Sequence, residues 1–149
     1  MVSEKFTLRC AVHLVLIRDG QTLLLRRFNT GWMDGNYSVV AGHVEGNETI
    51  AAATAREAKE EACITIAEKN LSVIQTMHRK GTDAEYIDFF LTTHRWQGDI
   101  RIGEPHKCDA LTWFPLDGLP ENTIPYIRQA VQQSRNNVSF SEFGMSAAI

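Results

Sequence analysis

The chain has 149 residues, 44% of them apolar; at this size it buries roughly 68–70% of its unfolded surface, so no disulfide or structural metal is needed and one soluble domain over 1–149 is expected. With 15 basic against 18 acidic residues and a net charge of −3, capture of a nucleic-acid polymer is not expected, whereas a small phosphorylated ligand is compatible. No apolar run approaches the roughly 20 residues of a membrane helix, Met1 to Arg9 lacks the apolar core of a signal peptide, and Cys10, Cys63 and Cys108 have no paired spacing, so a cytosolic protein with reduced thiols and no membrane is expected.

The first expected element is a hairpin. Cys10 to Arg18 and Gln21 to Phe28 are rich in Val, Leu and Ile, and they flank Asp19-Gly20, a pair that tolerates the positive φ angles of a two-residue turn. A polar loop over Asn29 to Asn36 leads into a short apolar stretch, Tyr37 to Ala41, closed by Gly42 and a turn at Glu45-Gly46-Asn47. Glu48 to Ala62 is dominated by Ala, Glu, Lys and Arg, with Asn47 or Thr49 placed to cap it, and reads as a helix. Ala51, Ala55, Ala58 and Ala62 fall on one stripe, which lets the helix approach a sheet closely. Val73 to Arg79 and Tyr86 to Trp96 read as strands around a Lys80-Gly81-Thr82-Asp83 turn, and Leu111 to Phe114 as a further strand. A second helix is expected over Tyr126 to Ser134, after Pro125. This order predicts an α/β layered domain with helices packed on a mixed sheet.

The chemistry concentrates in Gly42 to Glu48 and Arg56 to Glu61. Glu57, Glu60 and Glu61 are related by i, i+3 and i+4, so on a helix their carboxylates converge within about 100°. An isolated E-x-x-E-E is ordinarily a solvated acidic face tied to residues such as Arg56 and Lys59. Here a glycine precedes it at a fixed distance, and Gly42 can bring its carbonyl close to a metal because no Cβ intervenes. Three carboxylates and a glycine carbonyl suit magnesium, which keeps several waters and bridges to substrate phosphates. Such an ion neutralises a diphosphate and activates water for attack at phosphorus.

Gly42 to Ile64 resembles the Nudix box, G-x5-E-x7-R-E-U-x-E-E-x-G-U, where U is a bulky aliphatic residue. Gly42, Glu48, Arg56, Glu57, Glu60, Glu61 and Ile64 fall in register with it. Ala58 replaces a larger aliphatic residue, and Cys63 stands where the family has glycine. That glycine ends the helix in a left-handed conformation costing a residue with a Cβ about 1–2 kcal/mol, so the departure falls on the helix exit and not on the carboxylates. More loosely, Asn29 to Gly42, Tyr86 to Trp96 with Gln97-Gly98, and Leu111 to Asp117 before Leu119-Pro120 look like MutT-type members, extending the resemblance over about Leu8 to Val131.

The resemblance implies an α/β/α sandwich, a mixed sheet with helices on both faces. It also implies hydrolysis of a diphosphate bond in a nucleoside diphosphate derivative or nucleoside triphosphate, by water attack on phosphorus. Glu57, Glu60 and Glu61 would hold magnesium, with manganese as a substitute, together with the Gly42 carbonyl. One of these glutamates would help to deprotonate the water. Arg56 would orient the carboxylates, and Glu48 would brace the arrangement. Family members often add an acidic loop residue from across the cleft, for which Glu104 is the candidate and Glu85 the alternative.

Arg26 and Arg27 alternate in facing, so one of them can reach a phosphate; Arg26 is taken as the candidate. Trp32 can stack on a base, and His43, His78, Asp109 and Tyr126 are further candidates for a substrate pocket. Phe140 and Phe143, in Ser139 to Ile149, would cover an apolar patch or join a dimer contact, and the chain acts as a monomer or a homodimer. The alternative functions are a catalytically silent nucleotide-binding module and a hydrolase of a non-nucleotide diphosphate, the latter favoured by an aromatic-poor pocket.

Overall fold

The structure, a computed structural model, describes residues 4–145, and in it the first apolar run does not form one strand. It divides into β1 (Arg9–Leu14) and β2 (Ile17–Arg18), which lie in different sheets. The expected hairpin therefore survives only at its tip. There β2 pairs antiparallel with β3 (Gln21–Arg27) around Asp19 and Gly20, with φ angles of 53° and 75°. The run splits because Val15 and Leu16 are apolar on both sides of the bend and are buried in two different clusters of the core.

Next come β4 (Tyr37–Ser38), β5 (Val40–His43), helix α1 (Ile50–Ala62), β6 (Ser72–Lys80), β7 (Glu85–Thr92), β8 (Cys108–Pro115), helix α2 (Pro125–Arg135) and β9 (Phe140–Phe143). Sheet order is β5-β1-β7-β6-β9 in the larger sheet, with β1 parallel to β7 and antiparallel to β5. In the smaller sheet β3 pairs with β2 and β4 on one edge and with β8 on the other. Strand β7 ends at Thr92, short of the expected Trp96, where the Thr93 hydroxyl takes the Arg95 N–H in a local turn. Phe140 to Phe143 is a strand parallel to β6 that the sequence reading left unassigned; residues 146–149, the rest of the segment expected to cover a patch, lie outside the described residues.

Alternation along the strands assigns the two helices to opposite faces. In β3, Leu23 and Leu25 join Ala58 and Ala62 of α1, whereas Leu24 between them joins Ile127, Ala130 and Val131 of α2. In β1, Val12 and Leu14 face α1, and His13 faces Tyr126 of α2. The buried residues of α1 are Ala53, Thr54, Ala58 and Ala62. Ala51 and Ala55, expected on that stripe, are only half-buried, because the helix turns its 54-58-62 line inward. Among the described residues no helix is long and apolar enough to cross a membrane.

Candidate active site

Strand β5 and helix α1 build the site between them. Thr49 caps α1, its hydroxyl accepting the Ala52 N–H at 3.0 Å, and so resolves the two capping candidates. Arg56, two turns beyond the cap, is the organiser. Its Nε and Nη2 donate to the two carboxylate oxygens of Glu48 at 3.1 and 2.9 Å, Nη2 also reaches the His43 carbonyl at 3.1 Å, and Nη1 donates to Glu57 Oε1 at 2.7 Å. Glu60 Oε2 lies 3.6 Å from the same Nη1. Glu48 also accepts the Glu45 N–H, and the Arg56 guanidinium holds its carboxyl below the usual carboxylate range.

Glu57, Glu60, Glu61 and Glu104 line one cleft of about 640 Å³, together with Gly42 and His43. Glu104 comes from a loop that docks on the end of α1. The Arg101 and Gly103 N–H groups donate to the carbonyls of Ala62 and Glu61 at 3.1 and 3.0 Å. A Cβ on Gly103 would run into the Glu60 carbonyl, so this approach requires glycine. Cys63 takes the left-handed conformation, φ 61° and ψ 24°, that the glycine of the box would take. The helix exit on which the departure from the family pattern falls is therefore kept, with a strained residue in it.

Burial pushes the Glu61 carboxyl up to about 8, Glu57 and Glu104 add to the rise, and the Ala41 N–H at 2.9 Å opposes it. Burial likewise raises Glu57, against the lowering effect of Arg56. Crowded carboxylates raised in this way fit a site for a cation. Gly42 fits too, since a Cβ there would occupy the position of the Glu57 carboxylate. Among the described residues no three acidic, His or Cys side chains enclose an ion by themselves. The donor set suits magnesium, completed by water and phosphate, better than a protein-caged metal.

A second cavity of about 1040 Å³ adjoins the cleft and shares Arg27, Ala41, Gly42 and His43 with it. Trp32 and Tyr126, two of the candidates for a substrate pocket, line this cavity. Four other candidates are elsewhere. Arg26 and Asp109 bond each other at 2.7 and 3.1 Å, and neither lines the cleft or the cavity. His78 pairs with Glu85 at 3.1 Å, and they too lie outside both. In each case the neighbour in sequence takes the place. Arg27 stands at the seam, donating to the Trp32 carbonyl at 2.7 Å and to Thr30 Oγ1 at 2.9 Å, and Arg79 lines the cavity. A register shift between Arg26 and Arg27, where β3 pairs β8, breaks the simple alternation that would have told those two apart.

The family profile described as the NUDIX domain matches residues 7–133. The chain belongs to the Nudix family. It is 33% identical over 107 residues to the NAD-capped RNA hydrolase NudC of Erwinia tasmaniensis, covering 72% of this chain and 39% of that protein. The Nudix chain thus spans about two fifths of the length of this relative. It is 28% identical over 120 residues to an oxidized purine nucleoside triphosphate hydrolase of Danio rerio, covering 77% of this chain and 71% of the relative. Among solved structures, the MutT Nudix hydrolase of Burkholderia pseudomallei superposes with a TM-score of 0.79 at 26% identity, over 85% of this chain and 98% of that one. The expected Nudix α/β/α sandwich is the fold observed.

Proposed function

We propose that this Nudix protein is a magnesium-dependent pyrophosphohydrolase that cleaves a diphosphate bond in a nucleoside triphosphate or nucleoside diphosphate derivative. One observation carries the reading: the cleft holding Glu57, Glu60, Glu61 and Glu104 opens directly into a cavity walled by Trp32, Tyr86 and Tyr126, with Arg27 at the junction. Phosphates and a planar base thus have adjoining places, and the aromatic walls favour a planar ring system, such as a nucleobase, over a prenyl chain. The relatives, named as hydrolases of NAD-capped RNA and of oxidized purine nucleoside triphosphates, support a nucleotide substrate. The net charge of −3 favours a small nucleotide over a polymer, and the unpaired spacing of Cys10, Cys63 and Cys108 supports a reducing compartment, the cytosol, as its location.

Glu57, Glu60, Glu61, Glu104 and the Gly42 carbonyl would hold magnesium, which when bound neutralises the diphosphate and makes water a better nucleophile. Arg56 keeps Glu57 and Glu60 oriented through its links to Glu48 and the His43 carbonyl. Arg27 supplies a positive charge to the phosphates. A helix glutamate accepts the proton as water attacks phosphorus and the bridging P–O bond breaks, leaving two phosphorylated products. Product analysis over a panel of nucleotides with magnesium, beside Glu60→Gln and Glu61→Gln, tests this. Cleavage that falls by about 100-fold or more in both variants supports it; no turnover of any compound by the intact protein rejects it.

A further inference from the structure

The floor of the larger cavity carries a charge pair that the hydrolytic reading does not use. Arg79 lines the cavity with its side chain only 9% exposed, and its guanidinium is sandwiched between the rings of Tyr86 and Tyr126, 4.1 and 4.0 Å from their centroids. Nε and Nη2 donate to the fully buried Asp88 at 2.6 and 3.1 Å. Nη1, on the other edge of the fork, has no hydrogen-bond partner among the described residues. The planar group is therefore locked by two rings and a carboxylate, with one donor edge left for the cavity.

The chemistry of a suitable acceptor follows from Asp88. An anion on Nη1 would stand close to that carboxylate in a poorly solvated place, so a neutral acceptor is preferred. A carbonyl oxygen meets this requirement, and an amino group, itself a donor, does not. Asp83, the carboxylate among the described lining residues, is held by Arg9 at 3.2 Å and by the Tyr86 hydroxyl at 3.4 Å, and its side chain is largely exposed, so any hydrogen bond it offers an amino group is made against water.

We infer that Arg79 is a specificity residue that selects nucleotides whose base carries an exocyclic carbonyl, the 6-oxo position of a purine or the 4-oxo position of a pyrimidine, over those with an amino group there. The inference rests on the nucleotide reading above and deepens it. The decisive comparison is kcat/KM for ITP against ATP and for UTP against CTP on the full chain with magnesium, since each pair differs in that group and, with it, in the proton on the adjacent ring nitrogen. A charge-assisted hydrogen bond gained in one case and a donor facing a donor in the other predict a preference of roughly 10- to 100-fold for the oxo compound.

The preference should collapse to within about threefold in the double variant Arg79→Gln with Asp88→Asn, which removes both charges together and so strands neither. A purine riboside triphosphate lacking any 6-substituent checks the same point without a variant: it should fall toward ATP. Equal rates within a pair, a preference for the amino base, or a preference that persists in the folded double variant would overturn the assignment. If no nucleotide is turned over, the hydrolase reading fails by itself. The same compounds are then titrated by tryptophan fluorescence: tighter ITP than ATP keeps the assignment, and equal or absent binding overturns it.

Discussion

Arg56 and Glu57 are neighbours in sequence and partners in space, with Nη1 of the arginine 2.7 Å from Oε1 of the glutamate. The same guanidinium grips both oxygens of Glu48, so one planar group fixes two carboxylates at once. Lysine keeps the charge and loses the fork. Arg56→Lys should lower kcat/KM by about 10- to 100-fold and weaken magnesium binding in step, as measured by turnover across a magnesium titration.

Gly42→Ala should act through the same glutamate. The added Cβ displaces the Glu57 carboxylate from its place, while the backbone at 42 needs no unusual φ. Magnesium affinity measured by calorimetry should fall by about tenfold or more. The melting temperature should move by only about 4 °C or less, the equivalent of roughly 1 kcal/mol at this size.

Arg26 and Arg27 should separate cleanly. Arg27→Ala removes a cation from the seam between cleft and cavity and should raise KM for a nucleotide by about tenfold or more. Arg26→Ala breaks only the pair with Asp109, and its KM should stay within about twofold of the parent protein. Steady-state kinetics on both variants with one substrate decide this.

His13 sets a pH window for stability. The imidazole is buried between Phe90 and Tyr126, and burial, reinforced by the nearby Arg79, pushes it down to about 4 from the ordinary 6.5. Above pH 6.5 it is neutral in the folded and unfolded chains alike, and its contribution is complete. Between 6.5 and 4 the unfolded chain takes up a proton that the folded chain refuses, so stability falls with pH, by on the order of 3 kcal/mol across the window. Because the raised Glu61 carboxyl contributes with the opposite sign over the same range, the loss is read as a difference: in urea unfolding from pH 7.5 to 4 the stability of the parent protein relative to His13→Gln should fall by about this amount.

Cys63→Gly should stabilise the protein. The thiol-bearing residue sits at φ 61°, a conformation that glycine adopts without a Cβ penalty, and the gain should be about 1 kcal/mol. It is read as a higher urea midpoint at an unchanged m-value.

What was legible in the sequence was whatever repeats at a local period or spacing. Helix α1, its Thr49 cap and the Asp19-Gly20 turn are of this kind, because each depends on residues within a few positions of one another, and the box from Gly42 to Ile64 is legible through fixed spacings along one stretch of chain. Facing on strands was harder to read. His78 and Arg79 are adjacent, and so are Arg26 and Arg27; in both pairs the residue that lines the cavity is the second. A register shift between Val73 and Gln75 in β6, like the one in β3, resets the alternation that a strand pattern relies on. The signal that would have found the Arg79 pair is Asp88, a carboxylate between Ile87 and Phe89 in an otherwise apolar run, which has to find a cation once buried. The split of the first apolar run had no local mark at all, since both sides of the bend are apolar.

Thr65 and Gln97 exchange both backbone hydrogen bonds at 2.9 Å, so the chain leaves at one and returns at the other. Everything from 66 to 96, including β6 and β7, is an excursion hung from that bridge, and the end of α1 continues in space into the loop that presents Glu104. The site is therefore assembled from two cassettes stitched side by side. Moving residues 42–64 into a foreign scaffold would transplant three of the acidic side chains and leave the fourth behind, unless 97–104 travelled with them.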